Sequence, residues 1–274
     1  MTKMRLDLLL VERGLAESRA KAQALIMAGQ VRVAGQVVDR AASNFSNDAS
    51  VTIDRGPRFV SRGGEKLDAA LVAFPVDVSG RICADVGAST GGFTDCLNQH
   101  GAAKVYAIDV GKGILHWKLR NDPRVVVMEE TNARYVEILP EPVSLVTIDA
   151  SFISLKIILP VVKGWFCPPS GSPNSDEMGG EIDGDIIALI KPQFEAGRKV
   201  TAKGDGVIRD PEIHRQVLVD VLSFAQNEGF DVRGLIKSPL TGPKGNVEFL
   251  TWLSLNEAGG NDLSTLVGQA MQPI

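Results

Sequence analysis

Two groups of residues in this chain of 274 are typed and spaced to do chemistry. The first is Asp85-Val86-Gly87-Ala88-Ser89-Thr90-Gly91-Gly92-Phe93, which follows an apolar strand pattern and opens a helix pattern. Glycines here let the backbone approach a ligand closely, and a helix N-terminus offers unpaired N–H groups to an anion. A pyrophosphate-binding turn would read G-x-G-x-x-G. This one reads G-x-x-x-G-G, and Asp85, two residues ahead of the first glycine, suits an ammonium group better than a phosphate. The zwitterionic amino-acid end of S-adenosylmethionine meets both conditions. Asp109, closing the next strand pattern, is placed to accept hydrogen bonds from ribose hydroxyls. Asn132, after a third strand pattern, fits either a position near the adenine or a helix cap. The expected cofactor-binding set is therefore Asp85, Gly87, Ala88, Ser89, Thr90, Gly91, Gly92, Phe93, Asp109 and Asn132.

The second group stands where an open α/β sheet places its active site, at the ends of its elements. Lys66 lies at the start of the helix before the first strand. Asp149 ends the fourth strand, in Asp149-Ala150-Ser151-Phe152. Lys191 ends the fifth, in Leu189-Ile190-Lys191-Pro192-Gln193-Phe194-Glu195, and Glu248 sits in a final strand pair, in Gly245-Asn246-Val247-Glu248-Phe249. Taken singly, each reads as a solvated surface charge.

The elements that must position these groups follow from apolar periodicity. From Ser61-Arg62-Gly63-Gly64 onward, strand and helix patterns alternate: Ile82–Val86, Thr94–Gln99, Val105–Asp109, Val125–Met128, Leu145–Ile148, Ile157–Trp165, Ile186–Ile190, Ile213–Glu228, Phe230–Ile236 and Glu248–Leu253. This alternation predicts an α/β fold, a Rossmann-like mostly parallel sheet flanked by helices, with one antiparallel edge pairing around Asn246. A small α+β domain precedes it. Leu6 to Arg13 reads as a helix, Ser18 caps a second helix from Arg19 to Ala28, and Gly29 ends it. Val31–Val33, Val37–Val38 and Val51–Ile53 read as short strands. The expected boundaries are an RNA-binding domain over 1–55, a linker over 56–63, a methyltransferase domain over 64–256 and a C-terminal tail over 257–274. Within the large domain, residues 168–185 have no hydrophobic period and read as a mobile acidic loop.

Charge divides the same way. The formal net charge is -4, yet residues 1–66 hold 11 Lys/Arg against 7 Asp/Glu, a net of +4, and the remainder holds a net of -8. Five acids (Asp176, Glu177, Glu181, Asp183, Asp185) lie in the loop segment. The basic end fits either an RNA footprint or a solvated surface. No apolar run approaches the roughly 20 residues needed to span a bilayer, and the N-terminus lacks a signal-peptide pattern. The cysteines Cys83, Cys96 and Cys167 show no CxxC pairing and no partner histidines at metal spacing, so neither a disulfide framework nor a metal site is expected, and a reducing cytoplasm is.

In these residues the chain resembles the TlyA (hemolysin A) family of rRNA 2′-O-methyltransferases, whose FtsJ-like catalytic domain carries a Lys–Asp–Lys–Glu tetrad. Ser61-Arg62-Gly63-Gly64-Glu65-Lys66-Leu67 brings the first lysine, and Asp149, Lys191 and Glu248 match the rest. Arg5-Leu6-Asp7-Leu8-Leu9-Leu10 and Ser18-Arg19-Ala20-Lys21-Ala22 resemble the RNA-binding motif named for the fourth protein of the small ribosomal subunit. The resemblance implies methyl transfer from S-adenosylmethionine to a ribose 2′-hydroxyl of a cytidine in ribosomal RNA within ribosomal subunits. It implies Lys191 as base or hydroxyl-positioning group, Lys66 and Asp149 as its electrostatic partners, and Glu248 as an orienter. Arg5, Arg13, Arg19, Lys21 and Arg32 are the expected phosphate contacts.

Other chemistries fit less well. Exocyclic amine methylation usually shows Asp/Asn-Pro-Pro-aromatic, and Asp149-Ala150-Ser151-Phe152 has no proline. Pyrimidine carbon methylation needs a nucleophilic cysteine, whereas Cys83 and Cys96 read as small core residues and Cys167 adjoins the loop. Two rivals from other classes are a membrane-active hemolysin, which needs an amphipathic or spanning apolar segment absent from the pattern, and a catalytically silent RNA-binding assembly factor, which has no use for the tetrad.

Overall fold

A computed structural model describes residues 3–54, 56–166, 184–197, 206–255 and 261–272. The chain divides into two compact units, Met1–Arg58 and Phe59–Ile274. The first contains β1 (Lys3–Arg5), α1 (Leu6–Glu12), α2 (Arg19–Met27), β2 (Val31–Val33), β3 (Gln36–Val37), β4 (Asn44–Ser46) and β5 (Val51–Ile53). The apolar stripes of the two helices make its core: Leu6, Leu10, Ala22 and Ile26 are fully buried together with Val31. Ser18 caps α2 by accepting from the Lys21 backbone N–H at 3.2 Å. β2 pairs antiparallel with β3 and β5, while β1 pairs with β4 in a separate two-stranded sheet. β1 and β4 are absent from the sequence expectation, because three residues with a single apolar one are too short a run to carry a strand signal; only their pairing makes them strands.

The second unit contains α3 (Gly63–Ala73), β6 (Ile82–Val86), α4 (Gly92–Gln99), β7 (Lys104–Ile108), α5 (Trp117–Arg120), β8 (Val125–Met128), β9 (Leu145–Ile148), α6 (Leu155–Lys163), β10 (Asp185–Ile190), α7 (Pro192–Glu195), α8 (Pro211–Asn227), β11 (Asp231–Lys237), β12 (Phe249–Ser254) and α9 (Leu263–Ala270). The seven strands lie in the order β11-β12-β10-β9-β6-β7-β8. β12 runs antiparallel to both neighbours, and the others are parallel. Strands buried on both faces read as continuous apolar runs, as β10 does with all six residues buried. β6 and β9 are adjacent, with β7 and β8 continuing to one side and β10 to the other. This is the topological switch point of the sheet, where the carboxyl ends of neighbouring strands leave a crevice.

Three boundaries differ from the sequence expectation. The expected linker over 56–63 ends earlier, since the second unit begins at Phe59. Phe59 is 3% exposed against Leu67 and Phe93, a burial worth about 2–3 kcal/mol, and the Val60 N–H donates to Asp95 Oδ2 at 2.9 Å. The expected tail over 257–274 contains α9, whose Val267 and Ala270 join the main core and whose N-cap Asp262 accepts from the Ser264 and Thr265 N–H groups. Its apolar stripe is narrow and set among small polar residues, which hides it from a composition reading. Of the acidic loop expected over 168–185, residues 168–183 lie outside the described residues. Asp185 belongs to β10, where it pairs with Arg81 at 2.8 Å and accepts from Trp252 Nε1 at 2.7 Å.

Candidate active site

The glycine turn crosses the switch point between β6 and α4. Gly87 and Gly91 have φ of 84° and 95°, a left-handed backbone that costs other residues about 1–2 kcal/mol. A Cβ on Gly87 would stand 2.7 Å from the Asp149 carbonyl oxygen, and one on Gly92 would stand 2.8 Å from the Gly64 nitrogen. The turn is thus pressed against the end of β9 on one side and the start of α3 on the other. That contact fixes the distance between Asp149 and Lys66, which those two elements carry.

Two cavities adjoin this turn. One of about 340 Å³ is lined by Gly87, Ser89, Thr90, Gly92 and Phe93 and by Lys66, Asp149, Lys191 and Glu248. The second, of about 290 Å³, is bounded by Asp109, Val110, Asn132, Ala133 and Phe152. They share Gly87, Ser89, Asp149 and Ser151 as common walls. Asp109 accepts from the Ser89 N–H at 2.8 Å and the Gly111 N–H at 2.7 Å, so it organises the turn as well as facing the cavity. Asn132 caps a short 3₁₀ turn, its side chain accepting from the Arg134 N–H at 3.1 Å, and also lines the second cavity.

Asp85, Ala88 and Gly91 line neither cavity. Ala88 packs with Leu115 and Leu119. Asp85 is fully buried beneath the turn, where it accepts from the Thr94 hydroxyl at 2.6 Å and the Thr147 hydroxyl at 3.2 Å. Burial pushes its carboxyl up to about 7, against the pull of the Thr94 hydrogen bond. The sequence places Asp85 near an ammonium group, but the structure makes it a tie between β6, β9 and α4.

The four tetrad residues converge on the first cavity as two ion pairs. Lys66 Nζ donates to Glu248 Oε2 at 2.5 Å, with Glu248 1% exposed. Gly242 leaves the room that the Glu248 carboxylate occupies, and Glu248 Oε1 has no hydrogen-bond partner among the described residues. Lys191 Nζ meets Asp149 Oδ1 at 2.5 Å, the Asp149 carbonyl at 3.3 Å and Ser151 Oγ at 3.1 Å. Three oxygens around one nitrogen match the three N–H donors of an ammonium.

Sequence reasoning missed Ser151, which bridges both cavities, and the aromatic wall beside them. Phe152 is 90% exposed with φ 65°, and its ring lies 4.9 Å from that of Phe194. A bulky residue held at positive φ is uncommon and marks a position the surroundings over-determine. Both phenylalanines line a third cavity of about 390 Å³ with Lys191, Gln193, Lys244 and Glu248.

In the N-terminal unit, the expected phosphate contacts divide. Arg5 and Arg19 both hold the fully buried Asp7, at 3.0 and 2.9 Å, and the Arg5 hydrogen bond leads in keeping that carboxyl well below its ordinary range. Arg13 donates to the Ala49 carbonyl at 2.7 Å and to that of Asn47, so it braces the fold. Arg32 lies 3.5 Å from Asp54, both exposed, and Lys21 is exposed at the start of α2.

Residues 59–255 match the FtsJ-like methyltransferase family and residues 4–46 match the S4 domain. The chain is 46% identical over 255 residues to the 16S/23S rRNA (cytidine-2′-O)-methyltransferase TlyA of Mycobacterium tuberculosis, covering 92% of this chain and 90% of that protein. The chain belongs to the TlyA family of FtsJ-like methyltransferases. A Bacillus subtilis member, YqxC, provisionally named an rRNA methyltransferase, is 48% identical over 258 residues, 92% of this chain and 85% of its own. A solved structure from Streptococcus thermophilus, provisionally named a hemolysin, is 40% identical with a TM-score of 0.68, covering 98% of this chain and 96% of that one. Family and sheet agree with the resemblance carried by the tetrad. Among the described residues, no helix is long and apolar enough to cross a membrane.

Proposed function

We propose that this TlyA-family chain transfers a methyl group from S-adenosylmethionine to the 2′-hydroxyl of a cytidine in ribosomal RNA, in the cytoplasm where ribosomal subunits are built. The observation that carries this reading is the shared wall. A cavity bounded by Asp109 and Asn132 shares the walls Gly87, Ser89, Asp149 and Ser151 with one lined by two lysine–carboxylate pairs. The residues present fit the donor: Gly87 and Ser89 bring backbone to both cavities, Asp109 offers acceptors to ribose hydroxyls, and Val110, Ala133 and Ile153 offer apolar contact to a flat base.

When bound, S-adenosylmethionine supplies an electrophilic methyl on a sulfonium sulfur. The chain's task is then to hold a hydroxyl in line and manage its proton, and positioning of this kind supplies much of an enzyme's rate. Lys191, held by Asp149 Oδ1 and Ser151, can release the longest of its three contacts, the Asp149 carbonyl at 3.3 Å, and turn that N–H toward the oxygen on which negative charge grows. The hydroxyl proton leaves toward the Asp149 carboxylate, 22% exposed at the cavity wall. Lys66, at the cavity wall, is held in place by the buried Glu248 carboxylate. Phe152, with Phe194 behind it, offers a stacking face to the flipped-out base of single-stranded RNA.

The S4 domain supplies the hold on the ribosomal particle, through Arg19, Lys21 and Arg32 in particular, and Arg5 and Arg13 act mainly by keeping that surface in shape. Incubating the purified chain with ribosomal subunits and labelled donor tests the reading. Label recovered in a 2′-O-methylcytidine that resists alkaline cleavage is the expected result. Label in a base, or none in either subunit while donor still binds, overturns it.

A further inference from the structure

Cys96 and His100 stand four residues apart on α4 and its C-cap, which puts them on one face of the helix. That face packs on α3, and α3 presents Asp68 opposite them. Cysteine sulfur, imidazole nitrogen and carboxylate oxygen all lie within 4.8 Å of one another, and among the described residues this is the one such group of metal-ligating side chains. The expectation that no cysteine has a partner histidine at metal spacing does not take in this Cys-x-x-x-His step, Cys96 to His100. Two ligands at i and i+4 completed by a third from another element is a recurrent way of building a metal site on a helix.

We propose that Asp68, Cys96 and His100 form a binding site for a zinc-class divalent ion. Three features of the group support this assignment. The donor set is mixed sulfur, nitrogen and oxygen, which suits zinc and excludes magnesium or calcium, ions that take oxygen ligands. The donors are graded in depth: Cys96 is fully buried, whereas the His100 and Asp68 side chains are 31% and 18% exposed. The ion would therefore sit at the outer end of the helix pair, with its fourth position facing solvent. Finally, His100 Nε2 lies 2.8 Å from Asp68 Oδ1, a separation held by a shared proton. Zinc bonds of about 2.0–2.3 Å need neighbouring ligand atoms somewhat further apart, so binding displaces that proton and the Cys96 proton with side-chain adjustment alone.

The location gives the site a consequence for the enzyme. Asp68 is two residues from Lys66 on α3, and α4 begins at Gly92 of the donor turn. An ion joining Asp68 to Cys96 and His100 would fasten the helix of the first tetrad lysine to the helix of the glycine turn. Its role is bracing, outside the reacting atoms.

The test uses the full chain, stripped with chelator and titrated with Co²⁺ and then Zn²⁺, in a Cys167→Ser background that leaves Cys83 and Cys96 as the thiols. The expected result is a sulfur-to-cobalt charge-transfer band at one equivalent that Zn²⁺ bleaches. Zn²⁺ at a hundredfold excess over its Kd should raise the melting midpoint by roughly 5–10 °C. Cys96→Ser should abolish the band, and Asp68→Asn and His100→Ala should each remove most of the midpoint rise. Should Cys96→Ser misfold, the conservative Asp68→Asn variant still decides the matter, because its fold does not depend on filling the buried thiol position. Absence of the band, or a band and midpoint rise unchanged in Asp68→Asn and His100→Ala, overturns the proposal and leaves an Asp–His pair bracing two helices.

Discussion

Replacing Lys66 by Met separates what the tetrad does for catalysis from what it does for the fold. The Lys66–Glu248 pair is asymmetric: the lysine side chain is 11% exposed at the cavity wall and the glutamate side chain is fully buried, with Oε1 already lacking a partner among the described residues. Removing the lysine strands a buried carboxylate. Breaking a buried pair in this way costs about 3–5 kcal/mol, and the adjoining 340 Å³ cavity, which admits water, places this case near the lower figure. For a unit the size of Phe59–Ile274, about 3 kcal/mol lowers the melting midpoint by roughly 6–12 °C. Glu248→Gln costs less, about 1 kcal/mol, because Lys66 can turn its ammonium into the cavity. In the double variant neither charge remains, and the loss should be about 2 kcal/mol where simple addition would give about 4. Urea titrations of the wild type, both single variants and the double variant give the coupling directly. Methyl transfer should stay low in all three variants, since stability is recovered in the double variant without the groups that face the substrate. A coupling below about 0.5 kcal/mol, the limit for independent sites, would refute the argument that the two charges stand or fall together.

Two further outcomes follow from the same geometry. Asp85 keeps its proton in the folded state up to about 7, whereas the unfolded chain releases it near 4, so the folded state binds more protons between these values and wild-type stability falls as pH rises through that window. Asp85→Asn lacks this dependence, and melting curves should show it gaining on the wild type from pH 4 to 7 and holding level above; a constant difference would count against a buried, protonated Asp85. Phe152→Ala should leave the melting midpoint within about 1 °C, as expected where an exposed side chain is lost, while weakening productive engagement of RNA by roughly 5–150-fold, the worth of one stacked base. A variant that methylates subunits with wild-type kcat/KM would remove Phe152 from the acceptor site.

Much of this arrangement was legible because it depends on pattern. The parallel sheet follows from apolar strands such as Ile186–Ile190 alternating with helices, and the turn at Gly87 follows from a glycine at the end of a strand. The tetrad residues each end or begin an element, and a switch point gathers such ends. What stayed hidden depends on partners distant in sequence. From spacing alone Asp85 reads as a ligand contact, because spacing cannot tell that Thr94 and Thr147 close over it. α9 reads as a tail because Val267 and Ala270 acquire meaning only against the main core. Arg13 looks like a phosphate ligand until the carbonyls of Asn47 and Ala49 are seen around its guanidinium. Phe152 is legible only once the backbone is known to hold it outward.

The central claim is that Lys191 acts on the acceptor hydroxyl and takes no part in holding the donor. Lys191→Ala, with donor Kd by calorimetry and single-turnover methyl transfer to ribosomal subunits measured on the same preparation, addresses it most directly. The account predicts a donor Kd within about threefold of wild type and transfer slower by roughly 10²–10³, the effect of deleting one preorganised donor to a developing oxyanion. Transfer at near wild-type rate, or donor affinity lost in proportion to transfer, would contradict it.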